Sequence, residues 1–209
     1  MRLLSSLFLL MICLGCKKET HPKIEIYLLK HPVESTEGIP YVDSEEYKQD
    51  NNKSYDPIWL ETARYDTVYK RTLWGGDFSA GKEDLENNPF IKDDEILNFD
   101  SQKDIIVFDS NVVKRIEKIG RRKAQFVITI DKKPMLCGYF WTAMISSYPQ
   151  SFYIYDYDAY DLKEKNGNEK SYMIEFENAK FREIPSDKKR PPYNPKLIEA
   201  LRSTGRLIE

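Results

Sequence analysis

Hydrophobic and polar residues alternate most regularly between Ala124 and Trp141, in the run AQFVITIDKKPMLCGYFW. Phe126, Ile128 and Ile130 fall on one side of the alternation and Val127, Thr129 and Asp131 on the other, the period of a strand with two distinct faces. Asp131-Lys132-Lys133-Pro134 carries turn chemistry, and Met135 to Trp141 returns as a second arm. β-branched and aromatic residues dominate both arms, the composition that a half-buried pleated surface favours. The pattern predicts a central hairpin on which the rest of the chain packs.

Weaker patterns fill in the surroundings. Ile24 to Leu29 reads as a first strand, and Tyr65 to Trp74 as another that ends at Gly75-Gly76. Between them, roughly residues 32–57, the chain is polar, acidic and poor in periodicity, which predicts a long loop with one short helix near Ser44 to Gln49. A loop of that length is either mobile or functional. Ser79 to Asn88 reads as a short helix stopped by Pro89. Ile96–Phe99 and Asp104–Phe108 read as strands joined by a turn, followed by a helix capped at Asp109-Ser110 with Val112, Val113, Ile116 and Ile119 on one face. Ser151 to Asp158 and Tyr172 to Phe176 are strand-like. Asn194 as N-cap, Pro195 at the first helical position and Gly205 as the stop frame a last helix, with Leu197, Ile198 and Leu201 on its apolar face. Leu207 and Ile208 are placed to fold back onto it.

Composition narrows the range of functions. The 209 residues suffice for one domain with a genuine core. An aromatic content of 13% opposes disorder, since it supplies the apolar surface that offsets ordering entropy. A formal net charge of −2 provides no whole-molecule field for nucleic acid. Two histidines, His21 and His31, and three cysteines are a poor supply for metal or nucleophilic chemistry, so no cofactor or metal is expected.

The first residues, MRLLSSLFLLMICLGC, start with Arg2, continue through an apolar run within the ~7–15 residues of a secretory h-region, and fall short of the ~20 needed to span a bilayer. Cys13-Leu14-Gly15-Cys16 resembles the lipobox of bacterial lipoproteins, with Gly15 and Cys16 matching and Cys13 standing where Leu is usual. The resemblance implies a signal peptide over residues 1–15, cleavage before Cys16 and acylation (palmitate included) of Cys16; a polar tether over residues 16–23 and a single α+β domain over residues 24–209 are expected to follow. Lys17 follows the cysteine, which is similar to outer-membrane-bound examples. The resemblance thus implies a cell-envelope, outer-membrane location, with the membrane as a partner through Cys16.

Three constellations carry little chemistry. Gly76 to Glu83 nearly spells a phosphate loop, but Glu83 occupies the Ser/Thr position and would set a carboxylate against bound phosphate. Asp156, Asp158 and Asp161 could gather oxygens, yet Tyr160 and Asp161 stand where a calcium loop needs an acid and a glycine. Cys137, the thiol left after acylation of Cys16, has no histidine near it in sequence and reads as a small buried hydrophobe. The least ordinary feature is aromatic density from Tyr139 to Tyr160. Alternation leaves about half of these rings outside the core, and Trp141, Tyr153, Tyr155 and Tyr157 form the candidate binding surface, suited to an envelope protein or a glycan.

The strand–strand–helix–hairpin order over residues 89–158, with a D-x-x-P turn and Gly138-x-Phe140 downstream, resembles the periplasmic head domain of SecD, and the whole chain is similar to small lipoproteins of Gram-negative bacteria. The SecD likeness implies fold class alone. The expected architecture is α+β: a mainly antiparallel sheet of about five to seven strands with two or three helices packed on it. The expected role is a lipid-anchored, non-enzymatic binding module. The alternatives are an immunity-type or inhibitor lipoprotein and a hydrolase built on Asp and Glu, since carboxylates are the only abundant acid–base groups.

Overall fold

The predicted hairpin closes on two residues, Asp131 and Lys132, with φ of 49° and 63°. Two consecutive positive φ values give the turn the twist that matches its flanking strands. The computed structural model describes residues 21–51, 54–55, 57–68, 70–73, 75–120, 124–142, 151–156, 172–178 and 193–209. The hairpin strands are β7 (Gln125–Ile130) and β8 (Lys133–Thr142). Their register shifts between Ile128 and Thr129, so Thr129 faces Pro134 while Ile128 faces Leu136. The extra residue of the bulge is Met135, beside Pro134, which has no N–H for the ladder.

The other strands of the main sheet are β1 (Ile24–Leu28), β5 (Ile96–Asp100), β6 (Ile105–Phe108), β9 (Phe152–Asp156), β10 (Tyr172–Asn178) and β11 (Leu207–Ile208). Eight strands run in the order β1-β7-β8-β9-β10-β6-β5-β11. Five neighbouring pairs are antiparallel, whereas β8–β9 and β5–β11 are parallel. The architecture is therefore α+β with a mainly antiparallel sheet, and the sheet has one strand more than the widest expectation. The extra strand is β11: Leu207 and Ile208 pair with Phe99 and Asp100.

The outer edge of β1 does not face water. Ile26 exchanges backbone hydrogen bonds with Ile91 at 2.9 and 3.0 Å, and Lys30 and Leu28 bond to Asp84 and Glu86, so residues 84–91 run alongside it. That coverage blunts an edge that would otherwise recruit another strand. It also explains why residues 79–88 are not the expected helix. Their backbone groups are committed to β1, and only Lys82–Asp84 makes a 3-10 turn. Beyond Ile91 the chain enters β5 near the opposite edge, and Asp93 ties the two edges together. Its Oδ1 accepts from the Ile24 N–H and from Arg206 Nη2, each at 2.7 Å.

Helix α3 (Ser110–Gly120) and helix α4 (Pro195–Ser203) pack on one face of the sheet. Asp109 Oδ1 accepts from the Asn111 N–H, and Asn194 Oδ1 from the Lys196 N–H, satisfying donors that each helix start leaves open. Asn194 Nδ2 also donates to the Met135 carbonyl at the bulge of β8, fixing α4 to the hairpin. Gly205 holds φ +69° and ends α4, as expected. Val112, Ile116, Leu197, Ala200 and Leu201 meet Phe126, Ile128, Phe140 and Ile154 in one continuous core.

The second face departs from the half-buried expectation. Val127, Tyr139, Trp141 and Tyr153 are buried there, under Phe78, Ala80 and Leu85 of the segment that goes on to run along the edge of β1. Burial on both sides of β7 explains its nearly continuous apolar sequence better than alternation does.

Candidate functional site

One part of the chain leaves the sheet and returns. Residues 39–73 hold β2 (Ile39–Pro40), α1 (Glu45–Gln49), α2 (Pro57–Thr62), β3 (Arg64–Asp66) and β4 (Arg71–Leu73), and the three strands form a second antiparallel sheet. The sequence predicted an unstructured loop with a helix near Ser44–Gln49. The helix is present, with Ser44 Oγ accepting from the Tyr47 N–H at 3.1 Å. The loop is instead a folded excursion. The single strand expected over Tyr65–Trp74 is a hairpin, because Arg64, Tyr65 and Asp66 pair with Leu73, Thr72 and Arg71.

Tyrosine organises this excursion. Tyr41 and Ala63 are buried, and Tyr47, Tyr55, Leu60 and Tyr65 pack around them. The Tyr41 ring meets Tyr47 and Tyr55 edge-on, with centroids 5.7 Å apart in each case. Such pairs contribute about 0.5–1.5 kcal/mol beyond area burial. The polar tips are also committed: Tyr55 donates to the Asp50 carboxylate and lies 3.3 Å from the Tyr41 hydroxyl. Those two hydrogen bonds, the one to Asp50 first, raise the Tyr55 pKa, and burial followed by a bond to Glu46 raises that of Tyr65. Outside this cluster, Asp43, Glu45, Glu46 and Val42 are exposed. The excursion therefore presents an acidic helix and two aliphatic side chains, Val42 and Val68, on a tyrosine-packed base.

The neck is stapled. Ser35 Oγ donates to the Asp77 carbonyl at 2.8 Å, the Thr36 N–H to the same oxygen at 3.2 Å, and Glu37 Oε2 accepts from the Asp77 N–H at 3.0 Å. Arg64 Nε and Nη2 donate to the carbonyls of Glu37 and Gly38. Gly38 holds φ +63°, and a Cβ there would run into the Tyr65 carbonyl. Only glycine fits a left-handed turn made this close to a neighbouring backbone. Beneath the neck, Tyr139 donates to the Gly76 carbonyl at 2.9 Å, and Gln125 clasps Val33 through both its N–H and its C=O at 2.7 Å. Burial raises the Tyr139 pKa, so this phenol stays protonated and serves as a donor.

The sequence-predicted site residues are spread differently. Trp141 and Tyr153 are buried in the second core, which corrects their placement on a binding surface. Alternation assigns faces, but both faces of this sheet are covered. Tyr155 contributes backbone to β9 opposite Trp141, while Tyr157 and Cys16 lie outside the described residues. Asp158 and Asp161 lie outside them too. Cys137 is partly buried; burial raises its pKa, and the Ala80 N–H bonded to its sulfur opposes the rise. That shift disfavours the thiolate.

The loop resembling a phosphate cradle has two of its amides engaged by carboxylates. The Asp77 N–H points to Glu37 and the Gly81 N–H to Asp84 Oδ2 at 2.7 Å, so carboxylates occupy positions where phosphate oxygens would sit. Among the described residues, no cluster of three or more His, Cys, Asp and Glu side chains is arranged to hold a metal ion, and no helix is long and apolar enough to cross a membrane. The tyrosine cluster escaped sequence reading because Tyr41, Tyr47, Tyr55 and Tyr65 follow neither a helical nor a strand period. Their recurrence through an otherwise polar stretch is the signal that was there to be found.

Comparison with family models, with characterised proteins and with solved structures returned no match for this chain.

Proposed function

We propose that the protein is a lipid-anchored envelope protein, held at the outer membrane through Cys16, which presents the excursion over residues 39–73 as a contact surface for an envelope partner. The observation that carries the binding role is the excursion's independent packing: among the described residues, its tyrosine cluster shares none with the two cores of the main sheet. A projection with its own core, stapled at its neck, holds its surface in a fixed shape, and preorganisation of this kind favours binding. The exposed acids of α1 suit a basic partner surface, in keeping with an immunity or inhibitor role. The anchor rests on Gly15-Cys16 after a short apolar run.

Two experiments test the two halves. Cys16→Ala is expected to move the protein out of the acylated membrane fraction, either as uncleaved precursor or as soluble chain. Mass spectrometry of the membrane-extracted wild type is expected to show a mature N-terminus at acylated Cys16; any other N-terminus removes the anchor.

For the contact surface, a photo-crosslinking residue at Val42, 39% exposed on the excursion, is expected to give a discrete adduct in intact envelopes. The same residue at Leu97, 46% exposed on β5, is expected to give none. Equal adducts at both positions would mean that the excursion is not the contact.

A further inference from the structure

The end of the sheet where the chain enters the fold has a distinctive charge pattern. Lys23 immediately precedes β1, and its backbone is clamped to the hairpin turn: the Asp131 N–H donates to the Lys23 carbonyl at 2.9 Å, and Asp131 Oδ1 accepts from the Lys23 N–H at 3.1 Å. The Asp131 carboxylate is thereby bonded to backbone. Lys132 and Lys133 follow in the turn, both exposed, as is Lys23. Lys196 is exposed in the first turn of α4, which Asn194 ties to Met135 at the start of β8. Every ion pair among the described residues involves other side chains, so Lys23, Lys132, Lys133 and Lys196 form no ion pair there. Acids are present nearby. Asp93 is occupied by Arg206 and the Ile24 N–H, and Lys92 and Asp94, which flank it in sequence, are both exposed.

These lysines surround the point at which the chain leaves toward Cys16. The segment from residue 17 to residue 23 reaches at most about 25 Å, at ~3.5 Å per residue. An anchor that short holds this end within reach of the headgroups. We infer that the rim formed by Lys23, Lys132, Lys133 and Lys196 is a docking surface for anionic lipid headgroups, which orients the folded body on the bilayer with the hairpin turn facing it. The inference rests on the anchored reading above. A lysine beside an anionic membrane contributes about fivefold in partitioning, and the attraction fades within a Debye length.

The test uses the full acylated chain in phosphatidylcholine vesicles with and without phosphatidylglycerol, probed by an amine-acylating reagent and mass spectrometry. Lys132 and Lys133 are expected to label at least about fivefold more slowly when phosphatidylglycerol is present, by the same per-lysine attraction. Lys48 on the excursion is expected to label equally in both. The protection is expected to vanish at 1 M salt, where the Debye length falls to about 3 Å. The double variant K132E/K133E is expected to remove the protection of Lys23 and Lys196 with an unchanged circular dichroism spectrum. Equal labelling with and without phosphatidylglycerol overturns the inference, as does stronger protection by an anionic polysaccharide than by vesicles.

Failure of the anchor is read separately, since an unacylated chain leaves the vesicles at 1 M salt. That chain then tests the rim directly by low-salt sedimentation with phosphatidylglycerol vesicles. Retention that falls at least about 25-fold in K132E/K133E supports the rim, and no retention overturns it.

Discussion

Ile128→Asp is expected to lower stability by about 3–8 kcal/mol. Ile128 is 2% exposed in the middle of β7, between Ile26 of β1 and Leu136 of β8. With Phe99, Ile106, Leu197 and Leu201 it lines a cavity of about 20 Å³ beneath α4. That space could hold one water at most, and its wholly apolar walls offer such a water no partner. An aspartate there must either ionise without a counter-charge or bury a neutral carboxyl without a hydrogen bond. The neutral form alone costs about 1–3 kcal/mol, added to about 2–5 kcal/mol for the lost side chain. Against a total stability of about 5–15 kcal/mol for a domain, that removes about half of it at the middle of both ranges and all of it at the low end. Ile128→Val is the control and is expected to cost about 1 kcal/mol. Urea denaturation followed by circular dichroism separates the outcomes: a normal midpoint for Ile128→Asp would place this side of β7 outside the core.

What the sequence disclosed was local. The hairpin turn was legible because Asp131 and Lys132 lie between two β-rich arms, and its geometry depends on those few residues alone. Helix α4 was legible because Asn194, Pro195 and Gly205 act within one turn of its ends. What stayed hidden depends on distant partners. Nothing within Gln125–Ile130 says that Phe78, Ala80 and Leu85 will cover its second face, so the alternation suggested exposure where there is burial. The same gap placed Trp141 and Tyr153 on the surface. β11 is two residues long and exists because β5 offers a parallel edge to them. The neck of the excursion needs Ser35, Glu37 and Arg64 to meet Gly38 and Asp77, contacts that no sequence period encodes.

Gly138→Ala is expected to lower stability by about 1–3 kcal/mol, the range for overfilling a packed core. Its effect locates the point at which the hairpin meets the parallel strand. Gly138 stands opposite Phe126 on β7 and Phe152 on β9. A Cβ there would lie 2.6 Å from Phe126 Cζ and 2.7 Å from the Phe152 carbonyl oxygen. The Phe126 ring is fully buried and tilted against Phe140 at 4.9 Å between centroids, so it has little room to retreat. The carbonyl belongs to β9, and moving it stretches the β8–β9 pairing. The two contacts can be told apart with Phe126→Leu, which removes the ring atoms and leaves the carbonyl in place. If the ring dominates, the double variant is expected to be more stable than the sum of the single losses predicts, by about 0.5–3 kcal/mol, the usual coupling between touching residues. Strict additivity in urea titrations would put the strain on the Phe152 carbonyl instead, and amide exchange in β9 would then rise in Gly138→Ala with or without the phenyl ring.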